Sequence, residues 1–250
     1  MSPPTISLTG DTEGEGRQVE RRRFIIGVGS VAAGAQVAAV PTVARASTGP
    51  LRVQIVMFDG VEEQDFAGPY EVFSLAGRLS AGGIQVSYVT GGRPRTVVAA
   101  FGTRVAVERG WSPEAADLIV VPGGGFNRPE EPGIWPEINK GDLPRRLAAA
   151  RRPGLTIASL CTGAIILAAA GLTTGRPCTT HNGAKAELAA RGGLVKDARV
   201  VDDGDLVTAA GITSGLELAL HLVRREVSAD LATRVEGVLE YEARGTVWTP

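Results

Sequence analysis

The 250-residue chain has little of several things that would settle its class at once. It has two cysteines, Cys161 and Cys178, too few for a disulfide-framed scaffold. It has two histidines, His181 and His221, and no metal-ligand spacing anywhere, so no metal is expected. Neither a phosphate-binding Walker loop nor a G-x-G-x-x-G dinucleotide fingerprint is present, and no cofactor is expected. The formal net charge is −1, which lacks the basic footprint of a nucleic-acid binder. No internal repeat is visible. The apolar run from Ile25 to Val40 falls short of the ~20 residues that a membrane-spanning helix needs, so no stable membrane anchor is expected.

What is present begins at the N-terminus. Arg21-Arg22-Arg23-Phe24 fits the R-R-x-F pattern of a twin-arginine signal. A mild Gly- and Ala-rich apolar segment follows, and Ala44-Arg45-Ala46 supplies a small-x-small cleavage site. Residues 1–46 are therefore expected to be a removable signal behind a polar, disordered leader. The mature domain would span 47–250, meet the twin-arginine export machinery, and work in the periplasm or outside the cell.

From residue 50 the pattern alternates between strand and helix. "LRVQIVMF" (Leu51 to Phe58), "IQVSYVT" (Ile84 to Thr90), "ADLIVVPGGG" (Ala116 to Gly125, breaking into a glycine loop) and "LTIASLC" (Leu155 to Cys161) read as the core strands, apolar and rich in β-branched residues. Helical stretches separate them. Pro69 suits the first position of one, and Ser228 suits the N-cap of the last. "TVVAAFGTRVAVE" reads as a hairpin turning at Gly102, and "ARVVDDGDLVTAAG" as one turning at Asp203-Gly204. "CTTH" (Cys178 to His181) reads as a short strand. Buried strands that do not alternate argue for a parallel sheet covered on both faces. The expectation is one α/β three-layer sandwich from about residue 50 to 245, mostly parallel and without a second domain.

Sites in such sheets lie beyond the carboxyl ends of the strands, where three features fall. Cys161 sits at an abrupt strand-to-helix turn, as a nucleophile does at an elbow. A helix start at Thr162 would aim N–H groups at the thiol and lower its pKa, although a buried cysteine also serves as a small hydrophobe. The backbone N–H groups of Gly123, Gly124 and Gly125, with that of Thr162, are placed to bind developing negative charge; the alternative is a plain loop breaker. Asp65, beside its competitors Glu62 and Glu63, is followed by Phe66 and expected to turn inward as an acid or base. Its alternative is a charge that complements a helix start. His181 is a possible auxiliary group near Cys161, or a packed capping residue. His221 falls mid-helix and reads as structural.

These stretches resemble the ThiJ/PfpI superfamily. The residues that carry the likeness are "FDGVEEQDFAGPYEVF", "ADLIVVPGGG", "IASLCTGAIILAAAGLTTGRPCTTH" and "ARVVDDGDLVTAAGITSGLELAL". The likeness covers nearly all of the mature chain in order, and it implies a class I glutamine amidotransferase-like, flavodoxin-like sandwich. Asp65 with Gly68-Pro69, Cys161-Thr162-Gly163, and Gly211-Ile212-Thr213 with Gly215 are similar to the isonitrile hydratase branch. That resemblance implies a small-molecule substrate, a Cys161 nucleophile, Asp65 as proton carrier, Thr162 steadying charge, and Phe66 and Ile212 as apolar walls. It also implies a homodimer. Two positions depart from the branch: Asn182 stands where tryptophan is usual, and Cys178 where alanine is common. Glyoxalase or deglycase activity on small dicarbonyls, or a non-catalytic ligand- or redox-sensing role, are the alternatives.

Overall fold

A computed structural model describes residues 49–250 of the chain. The signal expected over residues 1–46 lies outside the described residues. β1 (Leu51–Met57) opens the domain, followed by α1 (Glu63–Leu79), β2 (Ile84–Thr90), and a hairpin of β3 (Arg95–Val98) and β4 (Arg104–Val107). Next come β5 (Leu118–Val121), α2 (Ile134–Lys140), α3 (Asp142–Ala150), β6 (Thr156–Ser159) and α4 (Gly163–Ala169). β7 (Pro177–Cys178), α5 (Lys185–Ala190), β8 (Leu194–Val195), β9 (Val200–Asp203) and β10 (Leu206–Ala209) follow. α6 (Ser214–Glu226), α7 (Ala229–Leu239) and β11 (Val247–Trp248) close it.

The main sheet has the order β11-β9-β10-β6-β5-β1-β2. The single antiparallel pairing in this sheet joins β9 to β10 through the Asp203-Gly204 turn, so β9 and its parallel neighbour β11 run opposite to the other five strands. Every residue of β5 and of β10 is buried, as a sheet covered on both faces requires. The helices separate into two packed groups: α1, α6 and α7 touch one another, and so do α2 through α5. The result is a flavodoxin-like α/β sandwich. Because β10, β6, β5 and β1 are parallel neighbours, their carboxyl ends emerge side by side along one edge. That edge carries Ile212, Cys161, Gly123 and Asp65.

Three expectations are corrected. Pro69 does not start a helix; it is inside α1, which begins at Glu63 after an extended Glu62. Burial of Phe66, Pro69, Val72, Phe73 and Ala76 along one helical face outweighs the preference of proline for a first turn. The strand expected over "CTTH" shrinks to Pro177-Cys178. Thr179 and Thr180 leave it to serve other loops: the Thr179 N–H donates to Thr208 Oγ1 at 2.8 Å and the Thr180 hydroxyl to the Cys161 carbonyl at 2.7 Å. The sandwich also runs past residue 245, since β11 adds a parallel edge strand to β9. Both hairpins form, and Ser228 caps α7 by accepting the Leu231 N–H at 3.2 Å. No helix among the described residues is long and apolar enough to cross a membrane.

Candidate active site

Cys161 has φ +51°, a left-handed conformation that few non-glycine residues adopt. Its surroundings fix it there. Its N–H donates to the Ala210 carbonyl at 2.7 Å, and its carbonyl accepts the Thr180 hydroxyl at 2.7 Å and the His181 N–H at 3.4 Å. The chain then reverses into α4, with the Gly163 N–H donating to the Leu160 carbonyl at 3.0 Å. This is the sharp elbow expected from the sequence.

Asp65, in the first turn of α1, is fully buried. Its Oδ2 accepts the Gly123 N–H at 2.8 Å, and its Oδ1 has no well-aligned hydrogen bond. The Cys161 thiol interacts directly with this carboxyl. Burial pushes the Asp65 pKa up to about 7; the nearby Glu62 charge adds to the rise, while the Gly123 N–H and the thiol oppose it. The thiol pKa is also raised, to about 12, first by burial and then by the Asp65 charge. The N–H groups of Ile212 and Thr162 point at the sulfur and pull the other way, but burial prevails. The thiolate expected from a helix start is therefore corrected. The helix is short, and the charge of the neighbouring Asp65 carboxylate works against a negative sulfur. The two groups act as a pair sharing protons. A protonated Asp65 no longer repels charge on the sulfur.

The glycine loop does other work than expected. The Gly123 N–H is committed to Asp65, and the Gly124 N–H to Thr162 Oγ1 at 3.0 Å. Neither is free to receive a substrate oxyanion. Gly124 has φ +148°, and a Cβ there would stand 2.1 Å from the Gly60 carbonyl oxygen, so only glycine fits. The backbone donors that face the Cys161 sulfur are those of Thr162 and Ile212. Ile212 has φ +37° and contributes its backbone as well as its apolar side chain.

A cleft of about 150 Å³ opens over the elbow, lined by Cys161, Glu62, Phe126, Arg128, His181 and Ile212 among others. Phe66 is not brought to it; its ring packs edge-on against Tyr88 at 5.7 Å. His181 lines the cleft, and its Nδ1 accepts the Gly183 N–H at 3.1 Å, so a neutral ring carries its proton on Nε2. No hydrogen bond joins the His181 ring to Cys161 among the described residues. Of the two competing acids, Glu63 grips the hairpin by accepting the Phe101 N–H at 2.9 Å, while Glu62 faces the cleft with its pKa raised by burial and by Glu63. The Phe126 to Arg128 wall is not legible as a site in sequence. Its one signal is Trp135, whose Nε1 anchors the Phe126 carbonyl at 2.7 Å. Cys161 and Cys178 are both free and buried. His221 is structural, with Nε2 2.7 Å from Asp202 Oδ2.

Residues 51–225 match the DJ-1/PfpI family. The chain belongs to that family. Among its DJ-1/PfpI relatives, an isonitrile hydratase from Pseudomonas putida is 32% identical over 194 residues, covering 76% of this chain and 78% of that protein. The crystal structure of an AraC family transcriptional regulator from Pseudomonas putida superposes with a TM-score of 0.63 at 28% identity, covering 76% of this chain and 100% of that one. A ThiJ/PfpI family protein from Pseudomonas syringae superposes with a TM-score of 0.68 at 22% identity, over 84% and 85% of the two chains, which supports the fold.

Proposed function

We propose that this DJ-1/PfpI protein is an exported, cysteine-dependent hydratase that converts a small isonitrile to an N-substituted formamide. The observation that carries the proposal is the buried Asp65 carboxyl set against the Cys161 thiol beneath a small, partly apolar cleft. Asp65 takes the thiol proton as the sulfur attacks the terminal carbon of the isonitrile. The N–H groups of Thr162 and Ile212 steady the charge on sulfur until the bond forms. The carbon then takes the proton from Asp65, giving a thioimidate in which S–C and C–H bonds have formed. Asp65, ionised again, removes a proton from water as its oxygen adds to the same carbon. The nitrogen takes that proton from Asp65; the C–S bond then breaks as the added hydroxyl becomes the carbonyl, its proton passes to the sulfur, and the formamide leaves. One water is consumed, and no electrons pass to or from an external reagent. The 32% identity to an isonitrile hydratase supports the substrate class. Arg21-Arg22-Arg23-Phe24 and Ala44-Arg45-Ala46 support export. A secreted protein beginning near Ser47 agrees with it; one still beginning at Met1 does not.

The working form of the pair has Asp65 ionised. With its pKa near 7, that form is lost as pH falls through 7. Formamide production from an aryl isonitrile by the full chain is therefore expected to have a kcat/KM that drops about ten-fold per pH unit below 7 and levels off above it. A rate independent of pH from 5 to 9 contradicts the role of Asp65. Turnover of methylglyoxal in place of isonitrile favours the dicarbonyl alternative, to which His181 on the cleft wall would contribute proton transfer.

A further inference from the structure

The turn that carries Ile212 is held from outside the cleft. Ile212 is β-branched and sits at φ +37°, which persists only where neighbours over-determine the backbone. Arg199 supplies that restraint on both sides of the turn. On one side its carbonyl accepts the Ala210 N–H at 3.0 Å, and the Ala210 carbonyl in turn accepts the Cys161 N–H at 2.7 Å. On the other side its Nη2 donates to Thr213 Oγ1 at 3.1 Å. Its guanidinium is itself fixed by a fork to Glu217, Nε to Oε1 at 3.2 Å and Nη2 to Oε2 at 2.7 Å. Glu217 is buried in the first turn of α6, and the Tyr241 hydroxyl joins the same cluster. Arg199, Thr213, Glu217 and Tyr241 all lie outside the cleft lining.

We propose that Arg199 is a positioning residue: anchored by Glu217, it holds Thr213 so that the Ile212 N–H stays aimed at the Cys161 sulfur. It touches neither sulfur nor substrate and acts through the turn alone. The geometric part is independent of what the enzyme turns over. The kinetic part rests on the proposed hydratase chemistry.

The test measures alkylation of Cys161 by iodoacetamide at pH 8 in the full chain carrying Cys178→Ala, followed by intact mass. Thr213→Val keeps the shape of the side chain and removes the acceptor. It is expected to slow alkylation about three- to ten-fold, because losing a donor to the thiolate raises the thiol pKa and lowers the thiolate fraction. Thr213→Ser keeps the hydroxyl and is expected to react at the parent rate. Arg199→Met is expected to match Thr213→Val, and the double variant to be no slower than either single variant, since both cut one connection. Because Arg199→Met strands Glu217 and risks unfolding, Thr213→Val decides the matter alone. A folded Thr213→Val that alkylates at the parent rate overturns the proposal. A slow Thr213→Ser, or a folded Arg199→Met at the parent rate, also overturns it. Where isonitrile turnover is present, Thr213→Val is expected to lower kcat about ten-fold at unchanged KM, less than outright removal of a donor costs. If the parent shows no isonitrile turnover, the hydratase proposal fails while the alkylation result still reads the clamp.

Discussion

Asp65→Asn is expected to be more stable than the parent above pH 7 and to have lost nearly all turnover. The sign follows from where the proton sits. The folded pKa of Asp65 lies near 7, above the 3.8 of a free carboxyl. Between those values the folded chain holds a proton that the unfolded chain releases, so stability falls as pH rises from about 4 to 7 and stays low above that. A rise from 3.8 to about 7 corresponds to roughly 4 kcal/mol of lost stability at pH 8, and asparagine removes the charge responsible. The substitution keeps the local bonding, since an amide oxygen still accepts the Gly123 N–H and the amide nitrogen faces the sulfur. Urea unfolding at pH 5 and pH 8 is the check: the variant's advantage should be small at pH 5 and several kcal/mol at pH 8. Equal stability at both values would mean that Asp65 is not held near neutrality. On the chemical side, asparagine cannot take the thiol proton, and a loss of about 10²–10⁴ in rate is expected. Greater stability joined to lost catalysis separates this outcome from a variant that merely misfolds.

Gly163→Ala is expected to damage both fold and site. Gly163 follows Thr162 at the start of α4, in a tight approach to the end of β5. A Cβ there would stand 2.1 Å from the Val121 carbonyl oxygen and 2.7 Å from that of Pro122. Those atoms are backbone at the end of a fully buried strand, so the strain cannot be relieved by a side chain turning away. The helix start must move outward, and Cys161, two residues back, must move with it. The expected cost is about 3 kcal/mol, the upper part of the range for overpacking. For a domain of this size that corresponds to a fall of about 6–12 °C in Tm. Under the proposed chemistry, a displacement near 1 Å at Cys161 costs about 10² in rate. A variant with the parent's Tm and kcat would show that the elbow is looser than its contacts imply.

Much of this fold is written in local pattern. The apolar β-branched runs ending at Phe58, Val121 and Cys161 mark the parallel strands, and the elbow at Cys161 is visible as an abrupt change from strand to helix residues. Ser228 caps α7 from its own side chain, so local chemistry suffices there. The misses are cases where distant parts of the chain decide. Pro69 reads locally as a helix start, but burial of one face of α1 carries it into the helix interior. β11 exists only because β9 has a free edge to pair with. At the site, residue types are legible and commitments are not. Nothing in Gly123-Gly124-Gly125 says that two of its N–H groups are taken by Asp65 and Thr162. The direction of the thiol pKa depends on burial and on a carboxylate ninety-six positions away in sequence, beyond the reach of any local motif.

Covalent hydration at Cys161 is read most directly from the intact mass of the full chain after rapid mixing with an aryl isonitrile and an acid quench. A transient adduct equal to the mass of the isonitrile is expected on the peptide that contains Cys161, decaying as the formamide accumulates. Cys161→Ser is expected to form neither adduct nor formamide. Formamide appearing at the same rate from Cys161→Ser, or an adduct found only at other residues, would rule out the proposed role of Cys161.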